Sequence, residues 1–431
     1  RHRQHRAAIH SSPSPMIRLL HLADVHLDTA FEGRTHDLRT TLRASLRSAL
    51  ERAVDAAVTE PVDVVVIAGD LFDDDRLSFT TEAFLVTQAE RLHEAGIPVI
   101  YTTGNHDPGG DGFRASRIAW PDTFIYVDRP EPETIDLTGP DGNVVAHVTA
   151  AGHASRREGR NLAASFPGRE DPDVPHVGVL HAHVTGAAQV DAHDRYAPCS
   201  LDDLHAAGYD YWALGHIHQQ QAVDDAETIW YAGNLQGRSP RETGAKGGLL
   251  VEIEAGQPPE VTPLPFARTR WETVVLDELA GVATLRELEE VARSQLLERL
   301  DDGPTDTPAL RDVLVRFELS GPSPLAPELD DSDAVDELEA VLCDHLGVLD
   351  VDVQIRDLTP PVDVERFRGE VHLAGEVLDL IQRAAADDAV LAEVSPDVWA
   401  SLDDEADRAA IRELLGSLDR EAVARLVQRD A

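Results

Sequence analysis

Five stretches of this 431-residue chain end an apolar run with carboxylate, imidazole or amide side chains. They are LADVHLD (Asp24, His26), VIAGDLFDDD (Gly69, Asp70), TTGNHD (Asn105, His106, Asp107), GVLHAHVTG (His181, His183) and ALGHIHQQ (His216, His218). Asp-x-His and His-x-His put both side chains on one face of an extended backbone, because a strand repeats every two residues. Buried together, such groups leave unpaired charge unless cations neutralise it. Oxygen and nitrogen donors without thiolate suit hard or borderline divalent ions, and two ions held close together need a bridging carboxylate and ligands from several directions. Each piece alone has an ordinary explanation: Asp-x-His is common surface polarity, and Gly-Asp after a strand is a common turn. Their joint occurrence at strand ends points to a dinuclear metal site. The glycines before Asp70 and Asn105 permit sharp turns and close backbone approach.

The elements that must position these side chains alternate. Strand 17–23, helix 37–58, strand 62–67, helix 80–95 and strand 97–103 read as β-α-β-α-β, with Leu38, Leu42, Leu46, Leu50, Val54 and Val58 laying one apolar stripe along the first helix. In such a sheet the carboxyl ends of the strands converge where ligands bind. After Phe124, shorter strands in HVTAAGH, HVGVLHAH, YWALGHIH, IWYAGN and GGLLVEIE predict a second sheet packed on the first. Residues 271–360 read as a small α/β unit with helix 282–300, strand 311–319, helix 333–346 and strand 349–358. Its connectors, DDGPTDTP and SGPSPLAPELDDSD, are rich in turn formers. Beyond Pro360 the pattern is helical, with apolar stripes at Leu373, Val377 and Ile381, at Ile411, Leu414, Leu415 and Leu418, and at Val423, Leu426 and Val427. Those stripes either pack on one another or dock onto a partner.

Formal net charge is −41, and Lys246 is the only lysine. An acidic, arginine-rich surface fits a salt-rich cytoplasm, where the Debye length falls to roughly 3 Å at 1 M, or equally a GC-rich genome. The charge therefore does not exclude a nucleic-acid substrate. Two cysteines, Cys199 and Cys343, fit a reducing compartment and rule out a cysteine-based zinc site or disulfide framework. No apolar run reaches the roughly 18 residues of a membrane helix, and residues 1–15 lack a secretory apolar segment. The expectation is a cytoplasmic protein without membrane contact. Residues 1–15, ahead of Met16, read as a disordered extension. The chain has no Gly-x-x-x-x-Gly-Lys-[Ser/Thr] loop, so it is not expected to hydrolyse ATP.

The ordered set Asp-x-His, Gly-Asp, Gly-Asn-His-Asp, His and Gly-His-x-His resembles the calcineurin-like metallophosphoesterase superfamily. GDLFD with YWALGHIH is similar to the SbcD nuclease subunits of DNA-repair complexes, and YAGNLQGRSPRETGAKGG (231–248) is most similar to their YhaO branch. The resemblance covers residues 17 to about 255. It implies an α/β fold of α+β character, a two-sheet metallophosphoesterase sandwich flanked by helices. Residues 16–268 would be the nuclease domain, 269–360 a small α/β capping domain beside a DNA cleft, and 361–431 a helical region where the coiled coil of an SMC-like ATPase subunit docks. It further implies that Asp24, His26 and His218 hold one metal ion, that Asn105, His181 and His216 hold the other, and that Asp70 bridges them. His183 could stand in for His181, since both face the same way. Mn²⁺ is the usual family metal. His106 would face the scissile phosphate as acid or oxyanion stabiliser, with Asp107 as its orienting carboxylate. Asp73 stands where some relatives carry histidine. Arg238, Arg241 and Lys246 are candidate phosphate contacts, and homodimers are common in the family. The implied activity is a Mn-dependent DNA exonuclease or endonuclease working with an ATPase partner. The rivals are a small-substrate phosphodiesterase or phosphatase of the same superfamily and a non-catalytic DNA-end-binding scaffold.

Overall fold

The structure, a computed structural model, describes residues 16–394 apart from 74–76, 111–116, 187–194, 302–307, 362–363 and 369–371, together with residues 407, 410–412, 414, 415, 418, 422, 423 and 426. The expected extension 1–15 and Val427 lie outside the described residues. The chain divides into two compact units, one reaching Glu272 and including 303–314, the other comprising 273–302 and the chain from Val315.

The first unit begins with β1 (Met16–Leu22), α1 (His36–Thr59), β2 (Val64–Ala68), α2 (Phe79–Glu94) and β3 (Val99–Thr102), the alternation read from the sequence. β1 pairs parallel with β2, and β2 with β3. Both helices start at a hydroxyl cap: Leu38 N–H donates to Thr35 Oγ1 and Thr81 N–H to Ser78 Oγ, which satisfies donors with no partner inside the helix. Leu42, Leu46, Leu50 and Val54 are buried as the stripe requires, whereas Val58, at the helix end, is exposed.

Next come β4 (Phe124–Val127), β5 (Glu133–Thr138), β6 (Val144–Ala151), β7 (His176–His181), α3 (Leu201–Ala206), β8 (Tyr211–Gly215), β9 (Gln221–Ala222), β10 (Ile229–Tyr231), β11 (Gly247–Glu254) and β12 (Glu260–Pro265). The second sheet has the order β5-β6-β7-β8-β10-β9. The expectation that GGLLVEIE belongs to it is corrected. β11 crosses back and pairs antiparallel with β1, from Met16↔Glu254 to His21↔Leu249, so the first sheet reads β12-β11-β1-β2-β3-β4. The reason is the free edge of β1, which offers partners for β11 while Leu249, Val251 and Ile253 enter the layer between the sheets. Alternation then divides each strand: Ile17 and Leu19 of β1 face Val177, Val179 and Tyr211 of the second sheet, while Leu20 and Leu22 face α1 and α2.

The second unit carries a three-stranded sheet of order β13-β14-β15, built from β13 (Arg270–Leu276), β14 (Val313–Pro322) and β15 (Asp350–Thr359). Its helices are α4 (Leu285–Asp301) and α5 (Ser332–Leu346), the latter closed by Gly347 at φ +69°. β13 falls outside the expected elements; its short WETVVL run carries no turn signal that would set it apart. α6 (Val364–Phe367), α7 (Leu373–Ala386) and α8 (Asp388–Val394) follow. Of the expected stripes, Val423 and Leu426 of the last one cluster with Ala374, Leu378, Val364 and Phe367, while Leu414 and Leu418 are exposed. The buried face of α7 lies one position beyond the expected one, leaving Leu373 at 59% exposure. No helix among the described residues is long and apolar enough to cross a membrane.

Candidate metal centre

The predicted ligands leave the carboxyl ends of five strands: Asp24 and His26 after β1, Asp70 after β2, Asn105 after β3, His181 at the end of β7, and His216 and His218 after β8. Holding them requires unusual backbone. Asp24, His26, Asp70 and His216 adopt φ of +47°, +50°, +53° and +104°, a region non-glycine residues seldom enter and one found at functional sites. Backbone hydrogen bonds over-determine these turns: Asp24 N–H donates to Gly69 O (3.1 Å), His26 N–H to Asp70 O (2.9 Å) and Leu27 N–H to Leu71 O (2.9 Å). Close contact demands glycine beside the ligands, at Gly215 (1.9 Å from a Cβ to Ala68 O) as at the two that follow. A Cβ on Gly104 would stand 2.2 Å from Asp70 Oδ1, and one on Gly69, itself at φ +86°, 2.3 Å from His181 Nδ1.

Donors from distant parts of the chain then meet. His26 Nε2 lies 3.2 Å from His218 Nε2, 3.7 Å from Asp70 Oδ2 and 3.9 Å from Asp24 Oδ1, and His218 Nε2 lies 3.6 Å from Asp24 Oδ1. His181 Nε2 is 2.9 Å from Asn105 Oδ1 and 3.4 Å from Asp70 Oδ2. Among the described residues, three trios have ligand atoms within 4.8 Å of one another: Asp24, His26 and His218; His26, Asp70 and His106; and Asp24, Asp70 and His181. The His216 backbone N–H donates to both oxygens of Asp24, while its ring stands 5.3 Å from that of His181 and 6.1 Å from that of His183. Of His181, which ends β7, and His183, two residues beyond it, it is His181 whose Nε2 stands against Asp70 and Asn105.

The hydrogen-bond pattern tests whether cations fit. His181 Nδ1 must donate to Ala68 O (3.0 Å), because a carbonyl only accepts, and its Nε2 then presents a lone pair to the acceptor oxygens of Asn105 and Asp70. Lone pairs facing each other in a dry pocket repel, and a cation between them removes the repulsion. The charges agree: burial, then the Asp70 carboxylate, pushes the Asp24 pKa well above the usual range, and burial raises Asp70 likewise. Burial lowers His26 and His181 well below the ordinary imidazole value, which keeps them neutral and able to ligate. The residues present fit a pair of divalent ions.

His106 lies beside this cluster, its ring edge-on to His26 at 4.7 Å and its side chain 32% exposed. Its Nδ1 is 3.2 Å from Asp73 Oδ1, the same oxygen that lies 3.4 Å from His26 Nδ1 and accepts from Arg238 Nη1 at 3.0 Å. Burial disfavours a charged His106, but the Asp73 contact and the Asp70 charge outweigh it and hold its pKa above the ordinary value. Here an expectation is corrected: the carboxylate against His106 is Asp73. Asp107 is fully buried and occupied elsewhere, accepting from Gly104 N–H (2.7 Å), Asp70 N–H (3.2 Å), Leu71 N–H (2.6 Å), Phe72 N–H (3.3 Å) and the Tyr101 hydroxyl. Asp107 thus ties the loop after β2 to the loop after β3. Burial and then the Asp70 charge push it up to about 7 in spite of those donors.

Of the candidate phosphate contacts, Arg238 reaches the cluster through Asp73, Lys246 Nζ donates to the His218 carbonyl at 2.9 Å, and Arg241 is exposed. Two neighbours escaped the sequence reading. Glu242 Oε1 lies 2.7 Å from His218 Nδ1, and His153 Nε2 donates to His181 O at 2.7 Å from a fully buried position. Neither carries a spacing signal, because each acts across more than twenty residues of chain.

Comparison with known proteins follows the same lines. A family model for calcineurin-like phosphoesterases matches residues 17–220. The chain is 32% identical over 318 residues to the uncharacterized metallophosphoesterase YhaO of Bacillus subtilis (strain 168), covering 72% of each chain. It is 25% identical over 272 residues to the SbcD component of the nuclease SbcCD of the same organism, covering 56% of this chain and 67% of the relative. It is 28% identical over 275 residues to the DNA double-strand break repair protein Mre11 of Aeropyrum pernix, covering 59% of this chain and 62% of the relative.

Proposed function

The chain belongs to the calcineurin-like phosphoesterase family, and on that premise we propose that it is a two-metal phosphodiesterase that cleaves DNA. The observation that carries this reading is the buried convergence of acceptor atoms at the ends of five strands, with the His26 and His218 Nε2 atoms 3.2 Å apart. In this reading Asp24, His26 and His218 hold one ion, Asn105, His181 and His216 hold the other, and Asp70 bridges. Bound there, two divalent ions, Mn²⁺ by preference, supply a more acidic water and neutralise charge building on the phosphate. The chain's own residues do the rest. His106, charged beside Asp73, stabilises the phosphoryl oxygens and delivers a proton from Nε2 to the leaving oxygen, since its Nδ1 side faces the carboxylate. Asp73 orients that ring, and Arg238 restrains Asp73. Asp107 fixes the turn that aims Asn105 and His106. The loop of Arg238, Arg241 and Lys246 borders this region, and in this reading it touches the DNA backbone.

DNA is favoured over a small ester by the relatives, one named a nuclease component and another a break-repair protein. From the resemblance of the Gly-Asp-Leu-Phe-Asp and Gly-His-Ile-His motifs we further propose an SMC-like ATPase subunit as the partner, its coiled coil docking on residues 361–431, with residues 269–360 as a capping domain and the nuclease domain pairing as a homodimer in a cytoplasmic complex. Purified protein with Mn²⁺ is given labelled single- and double-stranded DNA and, separately, a chromogenic diester. The reading expects DNA products; turnover of the small diester with intact DNA would make the protein a small-substrate phosphodiesterase. His106→Ala should lower cleavage about 10²–10⁴-fold, as for a lost general acid, with Mn²⁺ content unchanged. Cleavage at the wild-type rate would remove the role given to His106.

A further inference from the structure

The chain between β10 and β11 grips the His218 segment at three points. Asn234 N–H donates to His218 O at 3.3 Å, Lys246 Nζ donates to the same carbonyl at 2.9 Å, and Glu242 Oε1 lies 2.7 Å from His218 Nδ1. Glu242 is itself held, its Oε2 accepting from Asn234 Nδ2 at 2.8 Å and from Arg238 N–H at 2.6 Å. Together these bonds leave the carboxylate little freedom to turn away.

An ionised carboxylate only accepts, so the short contact to Glu242 requires the His218 proton on Nδ1. A neutral ring protonated there carries its lone pair on Nε2. That atom lies 3.6 Å from Asp24 Oδ1 and 3.2 Å from His26 Nε2. We propose that Glu242 is a positioning residue for the ion held by Asp24, His26 and His218, fixing the His218 ring in the tautomer and orientation that present Nε2 to it. The inference rests on the dinuclear reading above and extends it to the chain between β10 and β11. A ligating imidazole whose other nitrogen loses its carboxylate partner can populate both tautomers and rotate, and such losses weaken metal binding about 10–100-fold.

Two measurements on the full chain test this. Nitrogen-15 spectra of histidine-labelled, metal-free protein, with the His218 signal assigned by its disappearance in His218→Ala, read the tautomer. Calorimetric titration with Mn²⁺ reads the number of ions and their affinities. Wild type should show Nδ1–H at His218. Glu242→Ala should show mixed tautomers and weaken one ion about 10–100-fold while the other keeps its affinity. Glu242→Met, of similar length but without an acceptor, should do the same and stands in if the alanine variant fails to fold. Glu242→Gln, whose amide oxygen still accepts, should recover most of the affinity, which a merely space-filling role would not predict. An Nε2–H tautomer in wild type, or wild-type affinities for both ions in Glu242→Ala or Glu242→Met, overturns the proposal. A wild type that takes up no Mn²⁺ would instead overturn the dinuclear reading, and the tautomer would still decide what Glu242 does.

Discussion

In the first unit Asp24, Asp70, Asp107, His26 and His181 are withdrawn from water at strand ends, whereas in the second the buried faces of α4, β14 and α5 are Leu288, Ala292, Leu296, Phe317, Leu319, Leu338, Leu342 and Leu346. Among the described residues of α4, β14 and α5, no polar side chain is buried. The second unit is stabilised in the ordinary way, with apolar area removed from water and charges left outside. The first gives up part of its stability to groups that repel one another until something positive arrives. Positive φ at four of the proposed ligands points the same way, because strained turns persist only where neighbouring bonds hold them. The contrast separates residues kept for folding from residues kept for chemistry.

The sharpest way to break that contrast is Asp70→Asn. Cleavage should fall about 10³-fold or more, the upper range for losing one electrostatic group, while the metal-free protein unfolds at the same or higher denaturant because a buried charge is gone. A clear drop in the metal-free midpoint would mean Asp70 is structural. Phe317→Ala supplies the converse. It should cost about 3–5 kcal/mol in the second unit by denaturant unfolding, with two Mn²⁺ still bound. Loss of Mn²⁺ from a variant still folded under native conditions would show that the distinction fails.

Acidity should expose the first unit further. Burial holds His21, placed between the Tyr211 hydroxyl and the Leu214 carbonyl, down to about 3 in the folded protein. An unfolded histidine titrates near ~6.5, so between these values the unfolded chain binds the extra proton. The contribution is therefore intact above ~6.5 and falls with decreasing pH, at up to ~1.4 kcal/mol per pH unit. Unfolding midpoints measured from pH 7 to pH 4 should decline, and His21→Gln should flatten part of that decline. An unchanged slope in the variant would reassign the acid sensitivity elsewhere. The smallest effect is on the thiols. Cys199 of the first unit is buried, its pKa pushed up to about 12, while Cys343 of the second is only partly covered. A native alkylation time course should label Cys343 first, and Cys199 only on unfolding; early labelling of Cys199 would contradict its burial.

The sequence by itself determined the alternation of β1 to β3 with α1 and α2, because apolar periodicity and hydroxyl caps are local signals. It also determined which side chains gather, since each candidate ligand directly follows an apolar strand and a strand's end is where an α/β sheet opens. Only the tertiary structure decided that β11 leaves the second sheet for the edge of β1, a choice between equally apolar strand partners. It alone assigned Asp73 to His106 and gave Asp107 to the backbone, although Asp107 is the ring's neighbour along the chain. It alone brought Glu242 to His218, across β9, β10 and the turns that join them. Sequence patterns record what each segment does to water, whereas the pairing of one polar atom with another depends on distances that only the folded chain sets.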